Sequence, residues 1–166
     1  MSEPRCPACG TLYVRRAPLD SVFERLASLA YLYPFRCQLC TSRFRSLQWG
    51  VRYSEEGADK REYERLEIKF PVTFTGRLVS GEGLATDISL TGCRMETDVQ
   101  LPDGTVVNLA LKTSDKKPPL TAQAEVVRSI RPRLLGMKFT RLTQEQREHL
   151  TQLVTSLLGL PPVKRP

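Results

Sequence analysis

Two pairs of cysteines near the start most limit how this chain can fold. Cys6 and Cys9 form one Cys-x-x-Cys pair, and Cys37 and Cys40 form a second. Thiolates are ligands that a tetrahedral Zn²⁺ ion prefers, and two such pairs supply four of them. The alternatives are free thiols or a redox pair, although a redox Cys-x-x-Cys site needs a βαβ setting that the pattern does not offer. We therefore predict a structural zinc site with all four cysteines as ligands.

The segment between the cysteine pairs is longer than in most such zinc sites. It has 27 residues, 10–36, where the usual pattern has roughly fifteen to twenty. Ser21 followed by Glu24 indicates a capping box, apolar residues then recur at helical spacing, and Pro34 ends the pattern. The sequence therefore predicts a helix over 21–33. The metal would replace the core that a unit of about fifty residues cannot build alone.

Charge and composition divide the chain into two parts. Residues 1–52 carry eight Lys/Arg against three Asp/Glu, whereas 53–166 carry seventeen against fifteen. The excess positive charge, which favours anionic partners, therefore lies mostly on the cysteine-rich part. The polar stretch 53–60 predicts a linker or arm between domains at 1–52 and 61–160. Because the first residues do not resemble a secretory signal and no apolar run could cross a bilayer, we expect a cytoplasmic protein without a transmembrane segment.

The second part reads as a series of short strands. Six strand-like runs lie between residues 67 and 140, separated by glycine- and proline-containing turns. Strands at this spacing predict a small closed barrel or a sandwich. Thr143 and Gln146 then form a second capping box, followed by leucines on one helical face, which predicts a C-terminal helix packed on the strands.

Polar residues at two places in this part indicate a binding site. Arg61 and Arg65 point the same way in an extended segment, with about 13 Å between their anchor points, and guanidinium groups grip phosphate or guanine edges. The stretch at 87–92 adds a carboxylate, Asp87, that matches the guanine N1–H and N2–H₂ donors or else holds an arginine. Ser89 offers a hydroxyl, and Gly92 permits close approach or a positive φ. A plain Asx-type turn at Asp87 is the alternative interpretation.

These residues resemble the signature of a known family. Arg61-x-x-x-Arg65 followed by Asp87-x-Ser89-x-x-Gly92 is similar to the RxxxR and (D/N)xSxxG motifs of PilZ domains, which bind the bacterial second messenger cyclic di-GMP. The resemblance extends from about residue 59 to 158. It implies a mainly β fold, with a six-stranded antiparallel barrel and a C-terminal α-helix. It also implies that the arginine motif lies on an N-terminal arm that folds over the ligand. The N-terminal part resembles a generic zinc ribbon.

Two features depart from the PilZ pattern. Glu62 and Glu64 bring negative charge into the arginine motif, and Lys60 stands where many relatives have an arginine. Lysine lacks the bidentate fork, so Lys60 would weaken binding or reduce the bound stoichiometry.

The sequence favours a non-enzymatic cyclic di-GMP receptor that acts through a downstream protein partner. Its expected ligand residues are Lys60, Arg61, Arg65, Asp87, Ser89 and Gly92. We expect no catalytic role for the one histidine, His149, on the C-terminal helix. Two alternatives stay open. One is a nucleic-acid-binding ribbon that uses the arginines and aromatic residues around the cysteine pairs. The other is a PilZ-like adaptor that has lost its ligand.

Overall fold

The fold was analysed in a computed structural model, which describes residues 3–53, 63–114 and 118–160. The chain divides into two compact units, and the division falls between Glu64 and Arg65. The predicted linker at 53–60 lies outside the described residues except for Tyr53. Each unit is described by itself below.

The first unit is a three-stranded antiparallel sheet with one helix. Its elements are β1 (Val14–Arg16), α1 (Val22–Leu29), β2 (Leu32–Cys37) and β3 (Arg43–Leu47), with β2 in the middle of the sheet. One sheet face carries aromatic side chains in contact, with the rings of Phe35 and Phe44 stacked 6.0 Å apart and those of Tyr33 and Tyr53 edge to face at 4.9 Å. Because each aromatic side chain buries a large apolar area, a small domain can form a core from a few such residues.

The helix of this unit is shorter than the sequence predicts. The helix begins as expected, because Ser21 Oγ accepts a hydrogen bond from the backbone of Glu24, although the Glu24 side chain accepts from the backbone of Asp20 and not from that of Ser21, so the predicted capping box is only half formed. The helix ends at Leu29, however, and the chain turns at Tyr31, which has φ of 61°. Pro34 therefore does not stop a helix but lies within β2, where its carbonyl accepts from Ala17. Pairing with β1 and β3 determines the conformation of this segment and overrides the local proline signal.

The second unit is the closed barrel that the sequence predicts. Its strands are β4 (Leu66–Gly76), β5 (Ser80–Ser89), β6 (Gly92–Glu96), β7 (Val106–Leu111), β8 (Leu120–Arg131) and β9 (Leu134–Arg141). They pair antiparallel in the order β4-β5-β6-β9-β8-β7, and β7 closes the barrel on β4. The prediction of a six-stranded antiparallel barrel with a C-terminal helix is confirmed.

The C-terminal helix α2 (Gln144–Leu157) begins at the predicted capping box. Thr143 Oγ1 accepts from the backbone of Gln146, whose side chain accepts from the backbone of Thr143 in return. Gln146 also donates to Thr121 of β8 over 3.0 Å, and Leu150 and Val154 are buried. The helix therefore packs its apolar side against the barrel. None of the helices in the described ranges is long and apolar enough to cross a membrane.

Gly92 is required by strand packing and not by backbone conformation. The sequence allowed for a positive φ there, but Gly92 is not among the glycines with positive φ. A Cβ at this position would lie 2.1 Å from the carbonyl oxygen of Met137 on β9. Because that oxygen belongs to the backbone of a paired strand, neither side can move without disturbing the barrel.

We expect Gly92→Ala to destabilise the barrel by about 2 kcal/mol or more, because the added methyl group overlaps a backbone oxygen. Thermal unfolding followed by circular dichroism measures the loss. The matched control is Gly136→Ala on β9, where the nearest atoms to an added Cβ are 3.6 Å away. Equal melting temperatures for the two variants would contradict this account of Gly92.

Candidate functional site

An ion cluster lies on the outer face of the barrel, around Asp87 of β5. Arg65 Nη1 donates to Asp87 Oδ1 over 3.1 Å, and the backbone N–H of Arg94 donates to the same oxygen over 3.1 Å. The guanidinium Nε of Arg94 lies 3.1 Å from Asp87 Oδ2. Asp87 is only 6% exposed, because the two arginines cover it. Paired charges of this kind avoid the penalty of leaving a single charge out of water.

A β-bulge places Asp87 on the outer face. Ala85 and Ile88 are both fully buried in the core although they are three residues apart, which simple alternation does not allow. The register of β5 against β6 shifts between Ala85 and Asp87, and this extra residue resets the alternation. Asp87 and Ser89 consequently share the outer face. In the β5–β6 pairing they oppose Arg94 and Gly92 respectively.

Arg94 is the site residue that the sequence analysis missed. It lies two residues after Gly92 on the same strand, so strand alternation alone places its side chain on the same face as the motif glycine. Its buried Nε is close to Asp87 Oδ2 but is not aligned for a hydrogen bond, and no other partner is found among the described residues. Arg94 Nε is therefore held next to Asp87 by charge attraction and not by an aligned hydrogen bond.

Ser89 and Gly92 have structural roles that need no ligand. Ser89 Oγ donates to the carbonyl of Gly92 over 3.2 Å and accepts from the backbone of Thr91, which fixes the two-residue turn between β5 and β6. Ser89 is 4% exposed, and Gly92 contacts β9 as described above. These two residues therefore position Asp87 and Arg94 opposite each other, whatever else they do.

The first part of the arginine motif lies outside the described residues. Lys60 and Arg61 are in that part, so Arg65 is the motif arginine whose position is described. Tyr63 is buried and its hydroxyl accepts from Arg36 over 3.3 Å. Glu64 accepts from the hydroxyl of Tyr13, and its backbone N–H donates to Gln38 over 2.8 Å. The carboxylate of Glu64 therefore has a partner of its own in the first unit.

Cys93 lies directly behind the ion cluster. Its side chain is fully buried, and burial followed by the negative charge of Asp87 raises the pKa of this thiol to about 12. The thiol is therefore protonated at neutral pH and behaves as a small apolar side chain, as the sequence indicates.

The four N-terminal cysteines come together in the first unit. Their sulfur atoms all lie within 4.8 Å of one another, with Cys6 and Cys40 3.5 Å apart and Cys9 and Cys37 3.6 Å apart. These separations are far beyond an S–S bond. They are close to the edge of about 3.8 Å expected for four sulfurs around a tetrahedral Zn²⁺ ion with Zn–S bonds of about 2.3 Å. Burial raises the pKa of Cys9 to about 11.

The two cysteine turns have the same backbone pattern. The first cysteine of each turn donates its N–H to the carbonyl five residues later, Cys6 to Thr11 and Cys37 to Ser42, both over 2.9 Å. The residue after the second cysteine has a positive φ in each turn, 71° at Gly10 and 65° at Thr41. Cys37 Sγ also accepts from two backbone N–H groups at 3.4 Å. The residues present fit a structural zinc ion, and a β-branched Thr41 at positive φ is strained.

The arginines and aromatic residues proposed for nucleic-acid binding have mainly structural contacts. Arg43 forms ion pairs with Asp20 and, over 2.8 Å, with Glu24. Phe35 is buried in the aromatic face of the sheet, whereas Trp49 is 72% exposed. Part of this set is therefore used in structural contacts, while Trp49 and Arg45 remain exposed.

Comparison with known proteins agrees with the fold. The PilZ domain family matches residues 59–156, and no curated protein sequence matches the chain. Among solved structures, the motility inhibitor MotI/DgrA of Bacillus subtilis has a TM-score of 0.53 and 14% identity, covering 77% of this chain and 65% of its own. YcgR from Escherichia coli, solved in complex with c-di-GMP, has a TM-score of 0.53 and 14% identity, with 84% and 71% covered. At these identities the likeness to the solved structures shows the fold alone.

The closed six-stranded antiparallel barrel with its C-terminal helix is a PilZ-type fold. Because the family match spans more than half of the chain, this protein belongs to the PilZ domain family.

We expect Thr41→Gly to stabilise the first unit by about 0.5–1 kcal/mol. Removing the β-branched side chain relieves left-handed strain of about 1–2 kcal/mol, and the added glycine freedom offsets part of the gain. The reverse change, Gly10→Thr, is the matched control and lowers the stability. Thermal unfolding measures both variants. A lower melting temperature in both would show that strain at Thr41 is not significant.

Proposed function

We propose that this protein is a cyclic di-GMP receptor without catalytic activity, which binds the dinucleotide at the ion cluster of β5 and β6. The observation that carries the proposal is the buried Asp87 between Arg65 and Arg94 on the outer barrel face of a PilZ domain. Solved relatives of the same fold include YcgR, whose structure contains c-di-GMP. A ligand with two guanines and two phosphates matches a carboxylate acceptor flanked by guanidinium donors.

Asp87 Oδ2 is the atom best suited to receive a guanine edge. Oδ1 already accepts from Arg65 and from the backbone of Arg94, whereas Oδ2 accepts no hydrogen bond from the described residues. The guanine N1–H and N2–H₂ groups would donate to it. The arginines would then bind the phosphates or the O6 and N7 acceptors of guanine. Arg61 and Lys60 belong to the proposed ligand set through the family motif, with Arg61 on the same chain segment as Arg65.

The same geometry supports selectivity for guanine over adenine. The Watson–Crick edge of adenine does not carry the adjacent N1–H and N2–H₂ donors that a carboxylate accepts in pairs. A guanine that replaces Arg94 at Asp87 Oδ2 gives the carboxylate new donors in return, whereas adenine would break the contact with Arg94 without replacing it. Cyclic di-AMP is therefore the appropriate negative ligand for this site.

A structural zinc ion in the first unit forms the second part of the proposal. Cys6, Cys9, Cys37 and Cys40 would hold it, and a site made of four thiolates has no open position for catalysis. The ion would supply folding free energy to a unit whose apolar core consists of a few aromatic residues. The two positive charges of the ion would neutralise two of the four thiolates. The first unit would therefore keep a net positive charge.

One observation favours a second candidate, a PilZ-type adaptor that binds a protein and no nucleotide. Ser89 and Gly92 have complete structural roles, and Asp87 has two arginine partners without any ligand. A domain that no longer binds the nucleotide would still keep these motif residues, because they are needed for folding. The titration below separates the two candidates.

We expect the wild-type chain to bind cyclic di-GMP at micromolar concentration in isothermal titration calorimetry. Arg65→Ala and Arg94→Ala each remove guanidinium donors and weaken binding roughly tenfold to a hundredfold. Asp87→Asn replaces an acceptor oxygen with a donor amide and has an effect of similar size. Cyclic di-AMP should give no heat.

The matched control is Arg77→Ala, which removes an exposed arginine from the β4–β5 turn. It should bind like the wild type. A folded wild-type protein that gives no heat with cyclic di-GMP would contradict the receptor and favour the adaptor. Unchanged affinity in Arg94→Ala would remove Arg94 from the ligand set.

We expect one zinc ion per chain by elemental analysis of protein purified without added metal. Cys9→Ser and Cys40→Ser each remove a ligand and should lower the zinc content and the melting temperature of the first unit. Cys93→Ala is the control, because that thiol lies in the barrel core and should leave the zinc content unchanged. Full thermal stability after complete removal of metal by a chelator would contradict a structural ion.

A further inference from the structure

Helix α1 is turned with its apolar side outward. Val22, Phe23, Leu26 and Leu29 are 74%, 62%, 62% and 65% exposed, and they follow one another at helical spacing. An ordinary surface helix buries such a stripe against its own domain. A contiguous set of large exposed apolar side chains marks an interaction site in a folded protein.

The inverted orientation of α1 is fixed by ion pairs. Glu24 on the opposite side of the helix is only 4% exposed and accepts from Arg43 over 2.8 Å. Glu24 also lies 3.5 Å from Arg45 and accepts from the backbone of Asp20 over 3.0 Å. Rotating the helix to bury its leucines would remove Glu24 from these partners and leave buried charge unpaired, at a large cost.

A second apolar group adjoins the helix. Leu47, at the end of β3, is 59% exposed, and Trp49 is 72% exposed. The ring of Trp49 contacts that of Tyr31, two residues beyond the end of α1, with 5.1 Å between centroids. Together the exposed apolar residues of α1, Leu47 and Trp49 are called the α1 surface.

The charged residues close to the α1 surface are basic. Arg25 is exposed on the helix itself, and the guanidinium of Arg45 lies over the ring of Phe23 at 5.4 Å. Arg52 is also exposed and stacks over Tyr31 at 5.6 Å. Of the carboxylates near this surface in the part of the chain that the structure describes, Glu24 is buried and Asp20 pairs with Arg43. A binding partner of this surface should therefore offer an apolar region for the exposed apolar side chains, with negative charges around it for the arginines.

We propose that the α1 surface binds the face of an anionic lipid bilayer. A projecting helix of eight residues, about 12 Å long, can insert apolar side chains between headgroups while its arginines contact lipid phosphates. Tryptophan and tyrosine at the boundary of such a surface are typical of proteins that lie in the interfacial region. A protein partner would more often receive such a helix in a groove, which makes it an alternative outcome of the test.

The full zinc-loaded chain can be tested with vesicles of phosphatidylcholine alone or with 30% phosphatidylglycerol, a composition of about one anionic lipid in three. Trp49 is the one tryptophan of the sequence, so its fluorescence reports directly on this surface. We expect a blue shift and co-sedimentation with the anionic vesicles, and weakening of both at high salt. Lipids brominated on the acyl chain should quench Trp49.

The variant pair Phe23→Ser and Leu26→Ser should weaken vesicle binding roughly tenfold to a hundredfold for each side chain. Because both residues are exposed, zinc content and far-ultraviolet circular dichroism should match the wild type. Leu78→Ser is the matched control, since Leu78 is 97% exposed at the β4–β5 turn and its loss should leave binding unchanged.

Four outcomes would overturn the proposal. The first is no binding to anionic vesicles at millimolar lipid, and the second is equal binding to neutral and anionic vesicles. The third is self-association of the wild type, lost in the Phe23→Ser/Leu26→Ser variant, in the absence of vesicle binding. That result would assign the α1 surface to a second copy of the chain. Capture of a protein partner without vesicle binding would likewise overturn it.

Discussion

The outer face of the barrel depends on how closely β6 approaches β9. At Gly92 the carbonyl of Met137 occupies the place where a side chain would begin, so only glycine allows these two strands to pair at this register. The tight β5–β6 turn, closed by Ser89, then sets Asp87 directly opposite Arg94. The glycine and the serine of the motif thus build the frame on which the charged residues are held. The same two residues, Ser89 and Gly92, are therefore needed for the fold and for holding the proposed binding residues in place.

The cluster at Asp87 is stable only as a set. A carboxylate that is 6% exposed needs opposite charge close by, and Arg65 and Arg94 supply it from two directions. Removing one partner of such a cluster leaves a buried charge, which costs more than the pair contributes when intact. A dinucleotide can therefore bind to Asp87 only if its own donor groups replace the arginine contacts that it displaces. Oδ2 of Asp87 and Nε of Arg94 form an ion pair over 3.1 Å without an aligned hydrogen bond, so this is the contact of the cluster that a ligand can exchange at the lowest cost.

Sequence patterns determined the barrel and its terminal helix well, because each strand carries its own alternation and α2 carries its own capping box. They predicted less of the site. The bulge that brings Asp87 and Ser89 outward depends on Ala85 and Ile88 both packing in the core, which is a tertiary requirement. Arg94 was visible only through its position two residues beyond Gly92. The end of α1 was missed because Pro34 was taken as a helix stop, whereas strand pairing places it in the middle of a sheet.

The apolar periodicity of α1 was read correctly, but periodicity does not state which side of a helix faces the protein. In most domains the apolar side is buried because the core needs it. Here the first unit buries aromatic rings of Tyr33 and Phe35 on one face of its sheet and gathers four cysteines, so the apolar side of the helix is not part of its core. Glu24, bound by two arginines, then decides the orientation. A helix held by its polar side keeps its leucines exposed at no cost to the fold, which is the arrangement expected when those leucines have a partner outside the domain.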